Sequence, residues 1–260
     1  MLRNYKIAVV ILSTLLIIQG VFIFVLLKPK KAVKAPPTII KTKPQIAIVL
    51  DDWGYNLNGL PVLDQIKYPL TMSVLPNLAY SKTISLELHN RGFEIILHLP
   101  TEPLEKIRLE ENTILTTMDE MTIKNILNLD LENTPYVKGV SNHMGSKLTS
   151  DIKSLRFVFK ELKKRNLFFL DSLVSSRSIA STLAANEHIS FAKRDVFLDN
   201  KADYNYIKQQ LQELKNIAKA RGKAIGIGHD HKLTLEVLRD VMPEIEREGF
   251  KFVFVSELVK

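Results

Sequence analysis

Polar residues that could do chemistry follow five apolar runs in this sequence. Each run has the length and composition of a buried strand, and the polar residue comes directly after it. The five positions are Asp51-Asp52, His98, Asn142-His143, Asp171 and His229-Asp230-His231. Because the active sites of α/β barrels lie at the carboxyl ends of the strands, this recurrence predicts one site at the mouth of a barrel.

The adjacent carboxylates of Asp51 and Asp52 are the first part of that site. Two acids at a buried strand end repel each other, so the pKa of one rises unless a cation lies between them. A metal ion resolves this conflict by taking one carboxylate as a ligand and leaving the other as a base. The alternative is a helix N-cap before the turn at Gly54, although capping requires only one of the two acids.

His98 and His143 are the second part. A single histidine at a strand end is more often a core residue than a ligand, but two histidines and an acid at one barrel mouth favour ligation. Two imidazoles and a carboxylate with an open position suit Zn²⁺, and other divalent ions can occupy such a site. We therefore predict a divalent metal, with zinc as the first choice.

The segment from His229 to His231 offers a general acid or a further ligand. Alternation along an extended chain points both histidines the same way, so both could reach the site. His229 comes directly off the strand and is our candidate acid, and His231 is a candidate substrate-binding residue. The other interpretation is a polar loop that caps the helix beginning near Thr234.

Three further residues are weaker candidates. Asp171 is predicted to act in catalysis, although the serines beside it make it equally typical of a turn. Asn142 could donate to a substrate oxygen or only fix its loop. Arg194 is predicted to bind substrate, with an internal salt bridge to Asp195 as the alternative. A serine-hydrolase triad is not predicted, because the candidate serines lack an obvious pairing with His and Asp.

The elements that must position these residues alternate regularly from residue 44 onward. Seven or eight βα units in about 215 residues predict an α/β fold, a (β/α) barrel, with a doubly wound open sheet as the alternative. The predicted strands are 46–50, 70–75, 93–97, 137–141, 167–170, 196–198, 224–227 and 250–255. The predicted helices are 80–91, 121–131, 152–165, 204–221 and 233–247.

The N-terminal part of the chain has a different composition. Residues 7–27 are almost wholly apolar, and as a helix they would span about 30 Å, the thickness of a bilayer core. Arg3 and Lys6 precede this run and no convincing cleavage site follows it, so residues 1–27 are predicted to be a signal anchor. Residues 28–43, rich in Lys and Pro, predict a tether, and residues 44–260 predict the barrel domain.

The orientation of the anchor rests on two conflicting observations. The lysines that follow residue 27 outnumber Arg3 and Lys6, which favours a cytoplasmic domain by positive-inside counting. The inferred chemistry favours the other side of the membrane. We expect a membrane-anchored protein whose domain faces the periplasm or the cell exterior.

Charge and cysteine content exclude several classes of function. The net charge is +8, but residues 1–43 hold eight basic residues and no acid, and the other 28 basic residues match the 28 acidic ones. A nucleic-acid binder carries positive charge on its folded domain, so we expect no nucleic-acid partner. With no cysteine in the chain, disulfides, Cys-ligated zinc and thiol nucleophiles are excluded.

Six segments resemble the divergent polysaccharide deacetylases, relatives of the NodB-homology carbohydrate esterases. They are IAIVLDDWG (46–54), LTMSVLP (70–76), HLPTEP (98–103), GVSNHMGS (139–146), FLDS (169–172) and GIGH (226–229). The resemblance covers roughly residues 44–258 and implies a (β/α) barrel, a divalent metal bound by one Asp and two His, and an envelope location. By the same resemblance Asp51 is the base, Asp52 a metal ligand and His229 the acid, with His98 and His143 as the other ligands.

The chain departs from the more familiar deacetylases in several places. Those enzymes carry both ligand histidines in one His-x-x-x-His stretch, which this sequence lacks, and this puts the catalytic rate and the activity itself in question. Trp53 and Thr101 replace an expected Leu and Met, and Asp230 replaces an expected Pro. None of these changes threatens the fold.

Three functions follow from these patterns. The first is metal-assisted hydrolysis of acetyl groups on an envelope or other polysaccharide, including a peptidoglycan-like one. The second is a non-catalytic envelope module that binds glycan or protein on the same barrel. The third is another metallohydrolase, because a His-x-His pair also occurs in amidohydrolases. In those barrels the pair lies on the first strand, whereas in this chain it lies on a late one.

Overall fold

The computed structural model describes residues 43–260 together with Thr14 and Gln19, which are both helical. Apart from Thr14, Gln19 and Lys43, the predicted anchor and tether lie outside the described residues, and both stay predictions. Within the described part of the chain, no helix has the length and apolar character needed to cross a membrane. Residues 43–260 belong to one compact unit.

Residues 43–260 form one parallel nine-stranded sheet surrounded by helices. The strands are β1 (Gln45–Trp53), β2 (Thr71–Val74), β3 (Glu94–Thr101), β4 (Val137–Met144), β5 (Phe168–Asp171), β6 (Phe191–Lys193), β7 (Val196–Phe197), β8 (Lys223–His229) and β9 (Lys251–Phe252). The helices are α1 (Leu60–Leu63), α2 (Ser81–Asn90), α3 (Glu120–Asn133), α4 (Ile152–Lys164), α5 (Ala180–Glu187), α6 (Tyr204–Arg221) and α7 (Lys232–Arg247). Short 3₁₀ turns lie at Leu148–Ser150 and Val255–Glu257.

The strand order is β6-β5-β4-β3-β2-β1-β8-β7, and β9 pairs with the beginning of β1. This arrangement forms a half-barrel with alternating helices, so the predicted (β/α) barrel is confirmed. The edge strands β6 and β7 are successive parts of one segment, joined by Arg194 and Asp195. The first part pairs with β5 and the second with β8, so this segment bridges the two edges of the sheet.

Side chains alternate between two apolar layers along each strand. In β1, Ile46, Ile48 and Leu50 pack outward against the helices, whereas Ala47 and Val49 belong to a separate inner cluster. The outer layer is divided between two large clusters beneath the helices. The inner cluster fills the barrel below the carboxyl ends of the strands. A polar residue at the next inward-facing position of a strand therefore lies above this cluster, at the barrel mouth.

Helix boundaries follow from capping residues in the sequence. The carboxylates of Asp119, Asp151 and Asp203 accept hydrogen bonds from the backbone N–H three residues later and begin α3, α4 and α6. α6 ends at Gly222, whose φ of 82° is a left-handed conformation that glycine adopts without steric cost. These signals place the predicted long helices correctly, whereas the short α1 and α5 and the three-residue β6 were not predicted.

Candidate metal centre

Asp52, His98 and His143 come together at the carboxyl ends of β1, β3 and β4. Asp52 Oδ1 lies 3.3 Å from His98 Nε2 and 3.3 Å from His143 Nδ1. The two histidine nitrogens are 3.2 Å apart. The three atoms therefore form a nearly equilateral triangle, although the residues come from three separate strands.

The size of this triangle fits a single metal ion. Ligands at about 2.0–2.2 Å from a tetrahedral ion lie about 3.3–3.6 Å from one another. Asp52 Oδ1 is buried and makes no hydrogen bond within the described part of the chain, and neither does the free Nε2 of His143. A buried carboxylate oxygen without a donor is costly, and an ion at the centre of the triangle would satisfy it.

The electrostatics of Asp52 agree with a ligand role. Burial by itself raises the pKa of this carboxyl, but the rings of His143 and His98 outweigh burial and hold the pKa well below its ordinary range. Asp52 is therefore a carboxylate throughout the physiological pH range. A deprotonated acid facing two imidazole nitrogens is the donor set that zinc takes in open catalytic sites.

Alternation along the strands explains why these side chains converge. Ile96 in β3 belongs to the inner cluster, so His98 also points inward. Val140 in β4 packs outward, so Ser141 and His143 point inward. Asp52 would face outward in a regular strand, but its φ is 67° and the pairing of β1 with β2 is irregular between Leu50 and Trp53. This bulge turns Asp52 into the site next to Asp51.

Two hydroxyl groups fix the orientation of His98 from behind. Its Nδ1 lies 2.8 Å from the hydroxyl of Ser141, which lies 2.7 Å from the hydroxyl of Ser73. Ser73 and Ser141 are fully buried and carry inward side chains on β2 and β4. Partners of this kind hold the ring and tautomer of a ligand histidine. Neither serine was predicted to be a site residue, although the alternation of inward and outward side chains along β2 and β4 marks both as inward.

Asp51 lies beside the triangle but outside it. It is only 2% exposed, its Oδ2 is 3.7 Å from His98 Nε2, and its Oδ1 is buried without a hydrogen-bond partner in the described chain. Burial raises the pKa of Asp51 above the ordinary carboxyl value, with His98 acting in the opposite direction. An unpaired carboxyl oxygen with a raised pKa is suited to accept a proton.

His229 faces Asp52 from β8, in register with Asp51 on β1. Its Nε2 is 3.8 Å from Asp52 Oδ2, and its Nδ1 is 3.0 Å from Asp199 Oδ1. Burial lowers the pKa of His229, but its hydrogen bond to Asp199 and the charges of Asp199, Asp52 and Asp51 outweigh burial and raise the pKa to about 9. The ring is therefore protonated at neutral pH and can act as an acid.

Asp199 is a site residue that the sequence analysis missed. Its Oδ2 accepts hydrogen bonds from His229 N at 2.8 Å and from Thr234 Oγ1 at 2.7 Å. Asp199 directly follows the predicted strand 196–198, so the strand-end pattern could have found it, although that run has only three residues and β7 only two. Asp199, His229 and His231 also have potential ligand atoms within 4.8 Å of one another. Because both oxygens of Asp199 already have partners, the Asp52 triangle fits an ion better.

Asn142 and Asp171 lie at the ends of their strands but turn away from the triangle. The amide of Asn142 donates to Met144 O at 2.7 Å and accepts from Ser172 N at 2.9 Å. Asp171 accepts from Leu173 N at 2.8 Å and from the Ser178 hydroxyl at 2.6 Å. Each side chain therefore orders its own loop, which was the alternative considered for both.

Arg194 and His231 lie at the rim of the barrel mouth. Arg194 donates to Ser172 O at 2.7 Å and to Leu173 O at 2.9 Å, and the charges of Asp171, Asp51 and Asp195 all act on its guanidinium. Asp195 forms its ion pair with Arg221, at 3.0 Å.

The side chain of His231 is 67% exposed, and its Nδ1 lies 3.8 Å from Asp199 Oδ2. His231 also stands at the N-cap position of α7, where its side chain makes no capping hydrogen bond. Substrate binding by Arg194 and His231 stays a prediction.

The chain matches known proteins over most of its length. Residues 48–259 match the family described as divergent polysaccharide deacetylase. The chain is 34% identical over 198 residues to the uncharacterized protein YibQ of Escherichia coli, covering 76% of this chain and 62% of that protein. It therefore spans less than two thirds of that relative's length.

Solved structures show the same fold. The uncharacterized protein ATU2773 of Agrobacterium tumefaciens superposes with a TM-score of 0.79 at 23% identity, covering 84% of this chain and 90% of that one. A family 4 acetyl xylan esterase from Clostridium thermocellum, solved in complex with a cobalt ion, gives a TM-score of 0.52 at 15% identity, covering 82% and 89%. These likenesses concern the fold, and the match over residues 48–259 establishes that the chain belongs to the divergent polysaccharide deacetylase family.

Proposed function

We propose that this protein is a metal-dependent hydrolase that removes acetyl groups from a polysaccharide, with zinc as its metal. The observation that carries the proposal is the triangle of Asp52, His98 and His143, with sides of 3.2–3.3 Å, flanked by an acid and a base. The family match over residues 48–259 supports an acetylated polysaccharide as the substrate class. A peptidoglycan-like chain is one member of that class.

The metal and the protein residues have separate tasks in this reaction. A divalent ion held by Asp52, His98 and His143 supplies a Lewis acid that lowers the pKa of water and polarises the acetyl carbonyl. Asp51 Oδ1 accepts the proton that the attacking water loses. The water oxygen bonds to the carbonyl carbon, and the bond from that carbon to the sugar nitrogen or oxygen breaks.

His229 completes the reaction by donating its Nε2 proton to the leaving amine or alkoxide, so that acetate and the free sugar group are the products. The carboxylate of Asp199 fixes the other ring nitrogen at 3.0 Å and favours the protonated imidazole. The base and acid lie on the neighbouring strands β1 and β8, with Asp51 and His229 in register. They can therefore act on opposite ends of one acetyl linkage.

We further propose that the domain faces the periplasm or the cell exterior, anchored by the N-terminal apolar segment, because acetylated envelope glycans are found there. A reporter protein fused after Lys260 should then be active outside the cytoplasm. Reporter activity confined to the cytoplasm would contradict this orientation.

Acetate release tests the proposed activity directly. The zinc-loaded full chain should release acetate from acetylated glycan polymers, and Asp51→Asn should lower the rate by about 10²–10⁴-fold while zinc stays bound. Asp240→Asn is the matched control, because Asp240 is exposed on α7 and, among the described residues, its ion pair is with the neighbouring Arg239. If the wild type binds zinc but releases no acetate from any acetylated glycan, the protein is a binding module and the proposed activity is wrong.

A further inference from the structure

The connection between β3 and α3, residues 102–119, is the longest segment at the barrel mouth to lack regular structure. Connections longer than about 12–15 residues are uncommon in compact domains and often form binding loops. This loop begins directly after the strand that carries His98. It is called the rim loop below.

The rim loop is tied to the segment that follows Asp52. The hydroxyl of Tyr55, three residues beyond Asp52, donates to Glu110 Oε1 at 2.6 Å. Tyr55 follows β1 directly, in the same segment that carries Asp52 into the site. Tyr55 therefore joins the rim loop to the first ligand.

The other side of the rim loop is tied to the segment that follows His143. Leu104 N donates to the Ser146 hydroxyl at 2.8 Å, and that hydroxyl donates to Glu105 Oε2 at 3.1 Å. Glu102 closes the base of the loop by accepting from Thr116 and from Lys147, each at 2.7 Å. The loop is thus fixed to the segments following all three ligand strands.

The surface built in this way is amphipathic. Tyr55 is 48% exposed, and Leu104 and Ile107 on the rim loop are each 51% exposed. Charged residues alternate with these apolar side chains, at Glu105, Lys106, Arg108, Glu110 and Glu111. The Tyr55 hydroxyl is held by Glu110, so the ring has a fixed position while the residue stays 48% exposed.

We propose that Tyr55 and the rim loop form a glycan subsite, in which the sugar next to the acetylated residue stacks on the Tyr55 ring. A pyranose has apolar C–H faces and a polar rim, so it matches an aromatic face surrounded by charged and amide groups. Fixing the ring in advance reduces the entropy lost on binding. This inference rests on the proposed function and adds that the enzyme recognises a chain of sugars, not an isolated acetyl group.

Chain-length dependence tests the subsite. Acetate release by the zinc-loaded full chain is measured on N-acetylglucosamine oligosaccharides from one to six residues. The wild type should gain in kcat/KM with length, and Tyr55→Ala should reduce the ratio of hexamer to monomer by roughly tenfold. Tyr55→Phe keeps the ring and should keep most of the ratio. Tyr136→Ala is the control, because Tyr136 is 50% exposed but precedes β4, at the opposite end of the sheet.

Other results would overturn the subsite. An unchanged ratio in Tyr55→Ala, an equal loss in Tyr55→Phe, or a loss of bound zinc in Tyr55→Ala would each show that the ring does not act by stacking on a sugar. If the wild type releases no acetate, the proposed function is wrong. Calorimetric measurement of the binding of the same oligosaccharides then tests the subsite alone. Tighter binding of hexamer than monomer that is lost in Tyr55→Ala supports the subsite, and equal binding by both proteins overturns it.

Discussion

His229 should carry a proton at neutral pH because Asp199 holds its ring, and Asp199→Asn tests this cause. The pKa of His229 is raised from the ordinary value of 6.5 to about 9. A shift of that size favours the protonated ring by about 3 kcal/mol. Asp199 is the first of the groups that raise it, ahead of Asp52 and Asp51, and burial acts against all three.

Replacing Asp199 with Asn removes the charge and keeps one acceptor oxygen for the neighbouring donors. We expect the pKa of His229 to fall by at least about one unit, towards the ordinary histidine value. The assay is an NMR titration of the imidazole in the chelator-treated protein. A pKa that changes by less than about 0.3 units would refute the reasoning, because Asp199 would then not be the main cause of the shift.

The same shift sets how stability depends on pH. Because the folded pKa of His229 lies above the unfolded value, its contribution is complete below about pH 6.5 and is lost as the pH rises through about 9. Asp199→Asn should reduce this loss by about 1.4 kcal/mol for each unit by which the pKa falls. Urea unfolding of wild type and variant at pH 6 and pH 9.5 measures it, and the structural cost of the amide cancels in the difference between the two pH values.

Two further predictions concern Asp130 and Gly145. Burial raises the pKa of Asp130 to about 7, with Asn77 opposing, so the folded protein should lose stability as pH rises from about 4 to 7. Urea unfolding should show that Asp130→Asn removes about 2–4 kcal/mol of this pH dependence, and an unchanged dependence would contradict it. Gly145→Ala should weaken zinc binding by roughly 10–100-fold, because a Cβ there meets Thr101 Oγ1 at 2.2 Å. Titration calorimetry with zinc measures the loss of affinity. Gly92→Ala is the control, because Gly92 also has a positive φ but has no atom within 4 Å of an added Cβ.

Much of the fold could be predicted from apolar runs and capping residues. The runs that became β1, β3, β4 and β8 are long enough to be recognised, and the acids that cap α3, α4 and α6 mark the helix starts. β7 lies within the predicted strand 196–198, whereas β6, with three residues, was not predicted. The pairing of this segment with both β5 and β8 depends on tertiary contacts that no local pattern shows.

Within the candidate site, strand ends predicted the position of the polar residues but not the direction of their side chains. Asp52 reaches the triangle only because its φ of 67° breaks the alternation of side chains along β1. No pattern of residues in the sequence predicts this bulge. Asn142 turns away because it is one position out of phase with His143 on the same strand. Asp199 was missed because its function depends on the proximity of His229, which is thirty residues away in sequence.

Zinc content tests the central claim most directly. After incubation with zinc and removal of the excess, the wild type should hold about one zinc per chain, measured by atomic emission. Asp52→Ala should lose it, because one of three protein ligands is gone, whereas Asp51→Asn should keep it. Asp52→Ala that folds and holds as much zinc as the wild type, or a folded wild type that holds none, would contradict the assignment of Asp52, His98 and His143 as the metal ligands.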